Sequence, residues 1–165
     1  MSAYKSYWTA YGGLIALFKS PYMLASIIFT LSTNPLWFKP DGHTASELWA
    51  NIVFSTLPSL TAFSLGAIAI FIALTKGLFL ETIQEGGESS FFMKVVAAFF
   101  HFILIQISAL LSAILFSAFP NNLTSGFSYF LFIYAIFAGL AAAAILVDVA
   151  EIKNLADPLE DEKDG

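Results

Sequence analysis

The sequence predicts an all-α fold: a polytopic membrane four-helix bundle with an N-terminal interfacial helix. Three observations carry that reading. Of 165 residues, 58% are hydrophobic and only 12% are charged, about half the charged share of an ordinary soluble domain. The apolar residues gather into runs long enough to cross ~30 Å of hydrocarbon as helices, and mean hydropathy is +0.79. Six of the seven basic residues, all lysines, fall on one side of the threading those runs imply.

Residues 1–20 mix Tyr4, Tyr7, Trp8 and Tyr11 with Lys5, Lys19 and a Gly12-Gly13 pair. Tyr and Trp favour the headgroup level, so the segment reads as a helix lying in the interface. Lys19-Ser20-Pro21 marks a helix start, with Ser20 as N-cap and Pro21 in the first helical position. The first span is then Pro21–Phe38, anchored by Trp37, with Pro35 placed to kink or end it. Lys39–Glu47 is a polar loop with a Pro-Asp-Gly turn signal.

The second span, Leu48–Leu74, carries Pro58 in its interior, where the missing N–H frees a carbonyl for a hydroxyl or a neighbouring helix. Asn51, Ser55, Pro58, Ala62 and Ala69 form one polar and small stripe, all within ~40° of Asn51 at ~100° per residue. Lys76–Ser90 is a charged loop holding Glu81, Glu85 and Glu88, with a short helical continuation through Thr82.

Phe91–Phe119 is the stretch around which the others must gather. It contains His101 and Gln106, polar groups that are unfavourable in lipid unless other helices supply partners. His101 shares a face with Ala97, Ser108 and Ser112; Gln106 lies ~140° round the helix with Ala113 and Ser117. A short uncharged turn, Phe119–Gly126, makes the third and fourth spans antiparallel neighbours. The fourth span is Phe127–Val149, with Ala135, Gly139 and Ala143 at the small-xxx-small spacing that lets helices approach closely, and Asp148 near its end. Residues 151–165 form an acidic tail, expected to be mobile beyond Pro158. The domains are therefore 1–20, 21–150 and 151–165.

Composition excludes several functions. Without cysteine there is neither a disulfide framework nor a thiolate metal site. Without arginine the chain lacks the side chain best suited to bidentate phosphate or carboxylate clamping. A net charge of −5 argues against direct nucleic-acid binding. No His-Glu-x-x-His run, Gly-x-Ser-x-Gly elbow or phosphate-cradling glycine loop occurs, so no enzyme and no cofactor is expected. No cleaved signal peptide is read at the N-terminus. Asn122-Leu123-Thr124 matches a glycosylation acceptor, a pattern too short to carry weight.

What remains are polar residues at membrane depth and charges beside it. Asn51, His101, Gln106 and Asp148 are the candidate intramembrane polar sites, each either a functional group or a tie between helices. Glu81, Glu85, Glu88, Asp157, Glu160 and Asp161 are the candidate partner-binding residues, on the side that lysine placement assigns to the cytoplasm along with both termini.

Three stretches belong together: Lys19-Ser20-Pro21-Tyr22, Leu57-Pro58-Ser59-Leu60 running to Phe63-Ser64-Leu65-Gly66, and His101-Phe102. With them the chain resembles, over about a third of its length, small four-span proteins of the bacterial inner membrane. Some of that class belong to phage-defence operons, the membrane subunit of the Kiwa system being one four-span example. The resemblance implies a bacterial inner-membrane location and a part in antiviral defence, and it assigns no functional residue. The expected function is a non-enzymatic sensor, anchor or effector, with the lipid bilayer, further copies of the chain and a cytoplasmic protein as partners. The alternative is a pore-forming channel or small transporter.

Overall fold

The structure, a computed structural model, describes residues 3–39, 47–85, 87 and 90–164. Seven α-helices make it up: α1 (Ala3–Tyr11), α2 (Gly13–Lys19), α3 (Pro21–Ser32), α4 (Glu47–Leu74), α5 (Gly77–Gln84), α6 (Phe91–Ala118) and α7 (Asn122–Asp164). Among the described residues, four stretches are long and apolar enough to cross a membrane: Lys5–Ser32, Leu48–Ala73, Phe91–Ala118 and Asn122–Leu155.

The first stretch departs most from the sequence reading. Ser20 and Pro21 do stand at a helix start, but the Ser20 side chain makes no capping bond. The helix then ends at Ser32 instead of Phe38, because Asn34–Leu36 tightens into a 3-10 turn at Pro35. At 12 residues α3 covers only ~18 Å, so the membrane-length stretch takes in α2 and most of α1 as well. Breaks at Gly12 (φ 91°) and Ser20 divide it, and the left-handed backbone at Gly12 suits glycine alone. Tyr11, at the end of α1, and Ser20 and Tyr22, at the start of α3, line one cavity of about 30 Å³ beside His101. The chain between them therefore leaves the bundle as α2 and comes back to it.

Helix α4 matches its predicted span, running through Pro58 without interruption. The 76–90 loop is more ordered than expected. Lys76 turns extended and Gly77 adopts φ 61°, so α5 starts afresh and is not a continuation of α4. It docks through buried Phe79 and Ile83 and leaves Glu81 exposed. The predicted tail is likewise helical: α7 continues past Val149 and past Pro158 to Asp164. Residues 140–164 contain no glycine and are rich in Ala, Leu and Glu, strong helix formers that outweigh Pro158 and the scattered Asp residues.

Helix α6 is the hub. It packs on α1, α4, α5 and α7, whereas α4 and α7 make little contact with each other. Two clusters of buried apolar side chains mark its ends. One joins Trp49, Phe116, Tyr129 and Trp37; the other joins Phe71, Phe79, Val95, Phe99 and Val149. The first end is closed by a reciprocal amide clasp. The Lys39 N–H donates to Asn122 Oδ1 at 3.0 Å, and Asn122 Nδ2 donates to the Lys39 carbonyl at 2.8 Å. Trp37 lies flat on Gly126, where an added Cβ would sit 2.7 Å from the indole ring. Lys39 thus shares an end with the α6–α7 turn, while Lys76, Lys94 and Lys153 lie toward the other, as an antiparallel threading requires.

Candidate functional site

The two polar residues of the third span face different neighbours, as their spacing predicts, and both are buried. His101 sits between α1 and α7. Its Nδ1 is 2.7 Å from the Tyr7 hydroxyl and its Nε2 is 2.8 Å from the Tyr134 hydroxyl. A neutral imidazole has one N–H and one bare nitrogen, so one tyrosine donates to the ring and the other accepts from it. Tyr11 stacks on the imidazole with ring centroids 4.3 Å apart, and its hydroxyl interacts with that of Tyr134. One buried ring thereby ties the N-terminal helix, the hub and the last helix together.

The sequence singles out His101 but does not identify the three tyrosines around it. In sequence Tyr7 and Tyr11 read as headgroup anchors, and Tyr134 is one aromatic residue among many in an apolar run. A signal was present. A buried imidazole needs two partners, Tyr7 and Tyr11 stand four residues apart on one helical face, and the chain has few other hydroxyl-bearing rings.

Gln106 points to α4. Its Nε2 donates to Ser64 Oγ at 3.1 Å, and Ser64 in turn donates to the Leu60 carbonyl at 2.7 Å. Gln106 Oε1 is buried with no partner, so the pair is only half satisfied. Leaving one acceptor bare offsets most of what the other bond contributes. Replacing Gln106 by methionine is accordingly expected to shift stability by less than ~1 kcal/mol in either direction, checked by unfolding in mixed detergent.

The remaining candidates separate by exposure. Asn51 is exposed near the start of α4, and Asp148 is exposed near the end of the predicted fourth span. Glu81 and Glu85 are exposed at the end of α5, and Glu88 lies outside the described residues. Asp157, Glu160 and Asp161 stand on the helical continuation of α7, with side chains outside the described set. Among the described residues no group of three or more His, Asp or Glu could hold a metal ion.

The two small-residue seams, indistinguishable in the sequence, have opposite fates. Ala135 is fully buried, and Gly139 faces Phe102, whose ring would lie 2.8 Å from an added Cβ. That seam closes α7 onto α6 within the chain, and only Ala143 is left exposed. In contrast Asn51, Ser55, Pro58, Ala62 and Ala69 are all exposed on the outer face of α4. Searches of protein-family models, of curated proteins and of solved structures each return no match to the chain.

Proposed function

We propose that the protein is a non-enzymatic membrane module that assembles with copies of itself through the outer face of α4 and holds a cytoplasmic partner at its lysine-rich end. The observation that supports this reading is the Asn51–Ala69 stripe. Helix α4 uses Val53, Leu57 and Ser64 against the hub, which leaves the stripe turned outward along much of a membrane-length helix. In lipid, association rests on close backbone approach and polar ties, and small residues with an asparagine supply both. At the other end α5 is fixed by Phe79 and Ile83 and offers Glu81 and Glu85 outward. A basic partner suits that surface, and its binding weakens with salt.

The absence of native cysteine makes the test simple. In membranes, Ala62→Cys is expected to form disulfide-linked dimers, while Ala144→Cys, exposed on α7, does not. Ala62→Leu is expected to lower the assembly mass by light scattering. Equal crosslinking at the two positions, with an unchanged mass for Ala62→Leu, removes the assembly reading. Ion flux from liposomes holding the purified chain alone favours a channel instead.

A further inference from the structure

The first membrane-length stretch is interrupted twice, at Gly12 and at Ser20, and both interruptions adjoin one polar chamber. Tyr11, directly before the first, and Ser20 and Tyr22, at the second, line it together with His101 and Tyr134. The hub sets its depth. His101 stands ~15 Å along α6 from Phe91, about half of a ~30 Å hydrocarbon core. Backbone that leaves the helix at such depth persists only where protein or water serves its polar groups, because lipid offers no hydrogen bond. At the second interruption the chain serves some of them. Ser20 N–H donates to the Leu17 carbonyl and Leu24 N–H to the Ser20 carbonyl, both at 3.2 Å. Pro21 has no N–H, so Tyr22 and Met23 carry the first-turn amides that α3 cannot serve from within itself. An N-cap hydroxyl ordinarily accepts from such an amide, yet the Ser20 side chain makes no capping bond.

Size and chemistry select what serves them. The chamber measures about 30 Å³, room for one or two water molecules, each of which needs roughly 10–15 Å³ of such space. An acyl chain or a side chain of another copy is too large. No lysine, aspartate or glutamate stands among its described lining residues, so an ion enters without a counter-charge, which burial strongly disfavours. Water meets no such obstacle. Four of the lining residues carry hydroxyls, which donate as well as accept, and a buried water needs two to four polar partners.

We propose that the chamber binds an ordered water molecule that joins the Ser20 break to the Tyr11–Tyr134–His101 cluster, an internal hydration site in the middle of the membrane. The water accepts from a first-turn amide of α3 and donates into the cluster, which extends the ties of His101 to a further helix. The site is independent of the outer α4 stripe and of any cytoplasmic partner.

Water-edited solid-state NMR of the full-length protein in phospholipid bilayers reads the site. Magnetisation that starts on water is expected to reach the Tyr22 or Met23 amide promptly. It is not expected to reach that of Ala109, fully buried on α6 away from the chamber. Ala141 lines the chamber, so Ala141→Val narrows it and is expected to lose the transfer while its circular dichroism stays that of the wild type. Ala144→Val, at an exposed position of α7 outside the chamber, is expected to keep it. Tyr22 and Met23 amides that respond no faster than Ala109 in the wild type overturn the proposal. So does undiminished transfer in a folded Ala141→Val protein, which traces the signal to bulk water, and so does equal loss in both variants. Should Ala141→Val not fold, the contrast with Ala109 in the wild type decides alone.

Discussion

Replacing Gly139 by leucine is expected to destabilise the bundle by about 2 kcal/mol, the middle of the range for overpacking. The Phe102 ring approaches Gly139 so closely that even a Cβ would lie 2.8 Å from Cζ and 3.0 Å from Cε2. The Cβ therefore has to push the Phe102 ring aside, while the remaining carbons can extend into the cavity between α4 and α7 that Gly139 lines. Leucine gains ~1 kcal/mol of helix propensity over glycine, which the clash outweighs. Unfolding of the purified protein in mixed detergent measures the loss. Phe102→Ala in the same chain should recover part of it, because the two residues compete for one space. Ala143→Leu, one turn further along but exposed, should stay within ~0.5 kcal/mol of the wild type. A Gly139→Leu protein that unfolds with the wild type would show that the Phe102 ring yields freely and that the α6–α7 seam is loose.

The second large effect is expected at His101. Substitution by leucine keeps the volume roughly constant but removes the imidazole's bonds to two buried hydroxyls, those of Tyr7 and Tyr134, the second of which keeps Tyr11 beside it. An orphaned buried group costs ~1–3 kcal/mol in water-soluble folds, and interhelical bonds in lipid average nearer ~0.6 kcal/mol. About 2 kcal/mol in total is therefore expected for His101→Leu, against less than ~1 kcal/mol for Tyr7→Phe, which removes the hydroxyl that meets His101 and keeps the ring. The distribution of the damage matters more than its sum. Helix α1 has only nine residues, too few to persist alone, and Tyr7 is its buried contact with the hub. Amide exchange across residues 3–11 should rise sharply in His101→Leu while exchange in α6 and α7 rises little. If α1 remains as protected as in the wild type, the Tyr7–His101 bond does not hold it in place.

Much of this architecture could be read from residue order, and the reason is physical. Spans two and three are long apolar runs with polar flanks, and their helices begin and end within a residue of expectation. The 140° separation of His101 and Gln106 is plain helix geometry, and each residue does reach a different neighbour. What the sequence withheld depends on tertiary partners. Ala135–Gly139 and Ala62–Ala69 present the same small-residue pattern, and only the position of Phe102 decides that one is interior. Residue type alone assigns Tyr7 to the interface, whereas its burial follows from the hydrogen-bonding needs of a histidine 94 positions away. The start of α5 turns on the backbone at Gly77, for which a charged stretch gives no warning.

The central place of α6 also bears on how the chain is made. The first membrane-length stretch, which ends in α3, is followed directly by α4, yet α3 and α4 hardly touch; α3 packs chiefly on α7, and α4 on α6. During synthesis both enter the bilayer before either of these partners has left the ribosome. The early half must wait in lipid as separate helices, with the Trp37 end of α3 unclasped until Asn122 and Gly126 arrive. Assembly is thus deferred until α6 and α7 are in place, after which the earlier segments close onto them, a two-stage order in which insertion and packing are separated in time.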